Sequence, residues 1–313
     1  MNKITVKNFY EEEKKTLQLK LVYGKEGFSN IVEHAEVNRV GLFLSGYFDY
    51  FPYERIQILG KAEISYLNSL ESKKREEILK KLFDYKIPCL IIAHDMKIPS
   101  EIKKIENAKK IPIFKTKLST FRIINALTIY LEEKIAFQIT MPGSVLEVYG
   151  IGILLLGKAG VGKSECAISL IERKHRLISD DAVVLKKLPN GVLLGCSSDV
   201  VKHCMELRGL GIVDIKELYG ISAVKNKVSI ELVISFKEWN IEREYDRIGL
   251  QEKDITILGI KIPKVVIPIK PGRNLASLVE VAVMNHRLKS MGIYSAREIN
   301  KNLSDILRKK TEK

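Results

Sequence analysis

The chain has 313 residues, 46% apolar and 29% charged. That is enough chain for about two domains with a real core, and too apolar for a disordered protein. No apolar run reaches the ~18–20 residues that cross a bilayer, and the net charge of +14 is spread along the chain rather than gathered into a basic module, which disfavours a nucleic-acid binder.

The first residues turn acidic where a secretory signal would turn apolar, so a non-secreted protein is expected. Residues 41–60 alternate apolar runs with Gly46, Pro52 and Gly60, which predicts short strands and turns. Ser72 to Tyr85 predicts a helix with Ile78, Leu79, Leu82 and Phe83 on one face, stopped by Pro88. Residues 89–95 and 111–116 predict short buried strands. Residues 119–134 predict a helix with Phe121, Ile124, Leu127 and Leu131 on one stripe. This alternation predicts a small α/β domain over 1–130.

From 131 to 313 the chain predicts a second, strand-rich α/β domain. β-like runs at 136–140, 144–150 and 152–157 precede a glycine-rich turn and a helix over about 162–173. Further strands are expected at 176–185, 191–195, 228–236, 254–262 and 264–269. Asn274 is placed to cap a helix with the stripe Leu278, Val281, Ala282 and Leu288, ended by Gly292. Ser295 and Glu298 form a capping-box pattern before Ile299, Leu303, Ile306 and Leu307.

The strongest chemical signal is Gly157-Lys158-Ala159-Gly160-Val161-Gly162-Lys163-Ser164, which satisfies GxxxxGK[ST] between an apolar strand and a helix. Such a loop turns consecutive backbone N–H groups toward phosphate oxygens at a helix N-terminus. Lys163 is expected to reach the β- and γ-phosphates and Ser164 to ligate Mg²⁺. Asp180-Asp181 ends an apolar run beyond that helix. Locally it reads either as a metal-and-proton pair of acids or as a turn. Adjacent strand residues face opposite ways, so the two acids are not expected to share a role. Glu206 lies in a glycine-rich stretch read as a mobile loop. Arg247 and the segment Pro268-Ile269-Lys270-Pro271-Gly272-Arg273 are basic, flanked by turn formers, and read alone as surface turns able to meet phosphate. Cys89, Cys166, Cys196 and Cys204 form no CxxC pair and read as buried reduced thiols. The five histidines show no metal-ligand spacing.

Taken together, these motifs resemble the HPr kinase/phosphorylase family. The resemblance rests on LSGYFDYFPYERIQILG (44–60), VYGIGILLLGKAGVGKSECA (148–167), HRLISDDAV (175–183), MELRGLGIVDI (205–215), YDRIG (245–249), PIKPGRNLA (268–276) and EVAVMNHRLKSMG (280–292), in that order across nearly the whole chain. It implies a cytoplasmic homohexamer whose C-terminal P-loop kinase domain is similar to phosphoenolpyruvate carboxykinase. The implied reaction is phosphorylation of a serine of the phosphocarrier HPr from ATP or pyrophosphate. The reverse is phosphorolysis releasing pyrophosphate, under the effectors fructose 1,6-bisphosphate and phosphate, in the control of carbon catabolite repression.

By position, the resemblance makes Asp181 the acid/base, Glu206 a second Mg²⁺ ligand and Arg247 a catalytic arginine, with Asp180 a weaker candidate. Met205, Glu206, Leu207, Arg208, Gly209, Leu210, Gly211, Ile212, Val213 and Asp214 match the family's kinase/phosphorylase loop. Residues 268–273 match the dephosphorylation segment. The chain departs from the family at Pro142-Gly143, where His-Gly is usual, and at Gly157-Lys158-Ala159-Gly160, where GDSG is usual. A kinase-only member of the family and a P-loop small-molecule kinase are the alternatives. No arginine-rich lid favours the small-molecule kinase, and Asn226-Lys227-Val228-Ser229 lacks the aspartate a GTPase needs.

Overall fold

The computed structural model describes residues 3–105, 108, 110–197, 202–239, 253–270 and 272–294. Arg247, Pro271 and the second C-terminal helix expected beyond Ser295 lie outside these residues. The chain divides into two compact units, Met1–Phe137 and Gln138–Lys313. No described helix is long and apolar enough to cross a membrane.

The first unit is built on a five-stranded sheet in the order Lys20–Tyr23, Ile113–Lys115, Leu90–Ile92, Ile56–Leu59, Val37–Arg39. The first pair is antiparallel and the rest are parallel. Strands covered on both faces read as continuous apolar runs, and Ile56 to Leu59 and Leu90 to Ile92 are buried throughout. Leu90 and Ile92 pack with Leu79, Leu82 and Phe83 of the helix Ser72–Asp84, while Ile91 faces Ile123, Leu127 and Leu131 across the sheet.

Two elements differ from their sequence reading, and a third, Lys61–Ser69, has none. Gly41–Leu44 is a short helix rather than a strand. Lys61–Ser69 is a helix opened by Glu63, whose Oε2 accepts from the Gly60 amide at 2.9 Å. In the helix Thr120–Ile135 the buried stripe is Ile123, Leu127, Leu131 and Ile135, and Phe121 is 73% exposed. Ser119 fixes the start by accepting from the Arg122 amide. Phe121 lies two positions before Ile123 and so falls on the far side of a helix with ~3.6 residues per turn.

The second unit is a nine-stranded mixed sheet. Its central strand, Lys227–Glu238, runs parallel to Ile151–Leu156 on one side. Its other side pairs antiparallel with Leu193–Cys196 near its start and parallel with Ile260–Ile269 near its end. The helices Lys163–Glu172 and Leu275–Ser290 bury Ala167, Leu170, Val279 and Val283 against one face.

The run 176–185 is not one strand. Arg176–Ser179 pairs with Ser144–Val148, and Ala182–Lys187 pairs with Leu193–Cys196. Asp181 separates them in the left-handed region at φ 60°. The run 254–262 folds back on itself at Leu258-Gly259, both at positive φ, so that Lys253–Ile257 and Ile260–Ile269 form a hairpin. In the helix Leu275–Ser290 the buried positions are Ala276, Val279 and Val283, and Val281 is exposed. Of the four cysteines, Cys89 and Cys166 are buried, whereas Cys196 and Cys204 are half-buried; all four are reduced.

Candidate active site

Ile151–Leu156 carries a buried apolar run between two neighbours, and its carboxyl end delivers the chain into the glycine-rich loop. Gly162 caps the helix Lys163–Glu172 at φ 91°. Gly160, at φ 78°, leaves room for another residue: a Cβ there would stand 2.9 Å from Nη2 of Arg208. Arg208 therefore lies against the loop, adding a guanidinium to the helix N-terminal field. The Lys163 ammonium folds onto its own loop, donating to the carbonyls of Gly157 and Lys158 at 3.1 Å each.

A cavity of about 580 Å³ opens over this loop, lined by Lys158, Lys163 and Ser164 together with Pro142, Gly143, Glu165, Asp181, Glu206 and Arg208. The structure thus brings Lys163, Ser164, Asp181 and Glu206 to one place from three separate segments. It adds Arg208, which the sequence reading held only as one member of a loop. Lys270 and Arg273 do not line this cavity; they stand 3.8 and 5.8 Å from the Trp239 ring. Asn274 next to them caps its helix by accepting from the Ser277 amide at 3.0 Å.

The two aspartates are in different environments. Asp180 is 5% exposed and accepts a hydrogen bond from the Ser144 hydroxyl through Oδ1. Its Oδ2 is buried with no hydrogen-bond partner among the described residues. Burial pushes this carboxyl above the usual carboxylate range; the Ser144 and Ser164 hydroxyls pull it back, and the neighbouring Asp181 raises it further. Ser164 is thus near enough to favour the charged form, although it is not in hydrogen-bonding geometry with Oδ2. Asp181 follows in the left-handed conformation and lines the cavity, and its carbonyl accepts from the Gly143 amide at 3.2 Å. The sequence reading missed Ser144. Its signal was a lone hydroxyl heading the strand Ser144–Val148, next to the apolar pair Val145-Leu146, where a buried hydroxyl needs a partner.

Asp180→Asn is expected to raise the melting temperature of the free protein near neutral pH by several degrees, because it removes a buried charge worth about 1–3 kcal/mol. The sign follows from the raised pKa. The folded state holds the proton more tightly than the unfolded one, so the wild type gains stability as pH falls toward the unfolded carboxyl value. The advantage of the variant should therefore shrink in acid. A thermal denaturation series against pH checks this, and a variant less stable than the wild type at pH 7 would refute it.

Glu206 does not sit on an irregular loop. Cys204–Leu207 and Gly211–Asp214 form a β-hairpin in which Glu206 pairs with Ile212. Met205 turns inward and is buried, which leaves Glu206 on the outer, cavity side. The alternation Cys-Met-Glu-Leu is a strand pattern that the nearby glycines obscured. At the tip Leu210 and Ile212 are 76% and 72% exposed.

Among the described residues no cluster of three His, Cys, Asp or Glu side chains forms a cage for a metal. Mg²⁺ keeps several of its waters and takes one or two carboxylates with substrate phosphates, so it needs no such cage. The Ser164 hydroxyl and the Glu165, Asp181 and Glu206 carboxylates are hard oxygen donors lining the cavity, and the unpartnered Asp180 oxygen belongs to a carboxyl near Ser164.

Comparison with known proteins gives a consistent result. A family model for the HPr Serine kinase C-terminal domain matches residues 133–303, and one for the HPr Serine kinase N terminus matches residues 4–131. The chain is 42% identical over 312 residues to an HPr kinase/phosphorylase of Alkaliphilus metalliredigens, covering 100% of both. It is 45% identical over 292 residues to one of Leptospira biflexa, covering 92% of this chain and 90% of that one. Among solved structures, the Hpr(Ser) kinase/phosphatase from Coxiella burnetii is 36% identical and aligns with 51% of this chain and 98% of its own, at a TM-score of 0.47. With both halves matched in order and relatives aligned end to end, the chain belongs to the HPr kinase/phosphorylase family.

Proposed function

We propose that this chain transfers a phosphoryl group from ATP or pyrophosphate to a serine of HPr, and removes it again by phosphorolysis. The observation that carries this reading is the single cavity that joins the P-loop lysine to Asp181, Glu206 and Arg208. In the forward direction the Asp181 carboxylate takes the proton of the attacking serine hydroxyl. The new bond forms between that oxygen and the transferred phosphorus, and the bond to the departing phosphate of the donor breaks. In reverse an oxygen of inorganic phosphate attacks the phosphoserine phosphorus, and Asp181 returns the proton to the leaving serine oxygen, so that pyrophosphate is the product. Lys163, Arg208 and the loop amides hold the phosphates and offset the charge that develops on them. Ser164, Glu206 and the unpartnered oxygen of Asp180 would hold Mg²⁺, which supplies charge neutralisation at the phosphates.

The same reading assigns Arg247 to the transferring phosphoryl group and residues 268–273 chiefly to the reverse reaction. It includes a cytoplasmic homohexamer responsive to fructose 1,6-bisphosphate and phosphate. Purified protein mixed with HPr, Mg²⁺ and γ-labelled ATP should place label on an HPr serine. Transfer to phosphate without ATP should then release it as pyrophosphate. ATP turnover with no labelled HPr would favour a small-molecule kinase instead.

Pro142 lines the cavity beside Asp181, and its side chain has no proton to give. Phosphorolysis is therefore expected to be the weaker direction. Pro142→His should raise it by about tenfold or more while leaving the kinase rate less affected, since an added imidazole can share the proton transfer. Rates in both directions check this, and no change in either would dismiss a role for position 142.

A further inference from the structure

We propose that the N-terminal unit has a binding site of its own for a phosphoryl group, in a cavity of about 280 Å³ at the carboxyl edge of its sheet. The sequence around this cavity contains no phosphate motif; the fold assembles it. Lys14 follows the helix Val6–Glu13, and Lys20 opens the antiparallel edge strand. Lys115 and Lys117 flank Thr116 where the strand Ile113–Lys115 ends. The position is the one at which open α/β sheets seat ligands, outside the carboxyl ends of their parallel strands.

The charge is unbalanced. Asp95 is the one carboxylate in the lining, and it pairs with Lys115 at 2.9 Å. Among the described residues Lys14, Lys20 and Lys117 form no ion pair. Asp95 is held below the usual carboxylate range by Lys115 first, with Lys117 and Lys20 adding to the effect, so the fields of three lysines fall on one point. Gathering like charges is unfavourable unless an anion joins them.

The walls are fixed rather than adaptable. Thr116 is 2% exposed, and its hydroxyl donates to the Leu17 carbonyl at 2.7 Å while accepting from the Leu118 amide at 3.1 Å. The Asp95 amide donates to the Thr116 carbonyl at 2.7 Å, and the Leu19 amide donates to the Lys14 carbonyl at 2.9 Å. Gln18, His94 and Asp95 all sit in the left-handed region, at φ 50°, 59° and 51°. Gln18 is the costly one of the three, since histidine and aspartate tolerate that conformation better, and such a residue persists where its surroundings over-determine it. The fixed backbone thus presents four separate lysines, of which Lys14, Lys20 and Lys117 are exposed, and ammonium groups on separate stems suit a tetrahedral dianion, which takes donors from several directions, better than a planar carboxylate, which suits an arginine fork. The volume is close to the lower end of small-ligand sites, ~300 Å³, so the ligand is inorganic phosphate or a small phosphomonoester.

The test is lysine acetylation of the full chain, read residue by residue by mass spectrometry, with inorganic phosphate, glycerol 1-phosphate or chloride at matched ionic strength. Saturating phosphate or phosphomonoester is expected to slow acetylation of Lys14, Lys20, Lys115 and Lys117 by roughly fivefold or more. The arm that protects at lower concentration identifies the source. Lys158 and Lys163 report the P-loop separately in the same sample. A Lys20→Gln/Lys117→Gln double variant should lose protection at Lys14 and Lys115 but keep it at Lys163. Should the variant fail to fold, the wild-type footprint decides. No protection in either phosphate arm, equal protection by chloride, or protection surviving in the folded variant would each overturn the proposal.

Discussion

Lys163→Met is expected to lower both HPr phosphorylation and phosphate-dependent dephosphorylation by about 10³-fold or more. Phosphoryl transfer asks little covalent work of the protein, so positioning and charge neutralisation supply most of the catalysis. One preorganised donor aimed at developing charge is worth roughly 10²–10³ in rate, and a full positive charge in a partly enclosed site exceeds a neutral donor. Lys163 is half-buried, and its two hydrogen bonds go to carbonyls of its own loop. Methionine keeps most of the length of the side chain and leaves those carbonyls at the cavity surface, so the fold should survive. Single-turnover rates in both directions, beside an unchanged melting temperature, would establish the role. A loss below about tenfold would remove Lys163 from the transfer step.

Asp181→Asn is expected to cost roughly 10²–10⁴-fold in each direction, because an amide cannot take or return the serine proton. The substitution isolates that property. Asparagine is among the residues that best tolerate the left-handed backbone that Asp181 adopts at φ 60°. The turn between Arg176–Ser179 and Ala182–Lys187 should therefore be kept. Asp180→Asn provides the contrast, since that position is buried against Ser144 and is assigned to the metal rather than the proton. Mg²⁺ titrations of the two variants should separate them. Asp180→Asn should need more Mg²⁺ to reach its maximal rate, whereas Asp181→Asn should stay slow at any Mg²⁺ concentration. Full activity of Asp181→Asn at saturating Mg²⁺ would assign the base elsewhere.

The P-loop was legible because everything it needs is local: an apolar strand, glycines at fixed offsets and a helix start within a few residues. The Asn274 cap was legible for the same reason. The separation of Asp180 from Asp181 was only half legible. Alternation along a strand sends neighbours to opposite faces, but here a left-handed residue makes the division; aspartate tolerates that conformation, yet the sequence does not say which of two adjacent aspartates adopts it. The hairpin that carries Glu206 read as a loop because Gly209 and Gly211 outweighed the short alternation Met205-Glu206-Leu207 before them. Arg208 could not be placed over Gly160 from sequence at all; that contact joins elements more than forty positions apart. The wrong stripes on Thr120–Ile135 and Leu275–Ser290 share one cause. Both helices carry apolar residues on more than one face, so periodicity alone did not say which face the sheet would cover.

The central strand Lys227–Glu238 is hydrogen-bonded on both edges over Val233 to Ser235, to Leu154–Leu156 on one side and Lys264–Val266 on the other. No local opening frees its amides, because releasing them means parting two parallel ladders at once. In a hydrogen-exchange experiment these amides should be among the last of the second unit to exchange, at a rate set by unfolding of the whole unit. The amides of the two-stranded hairpin Cys204–Asp214 should exchange through small fluctuations. The floor under the phosphate loop and the arm that brings Glu206 and Arg208 to it would then differ in lifetime by orders of magnitude. That difference would let the arm fluctuate while the phosphate loop stays in register.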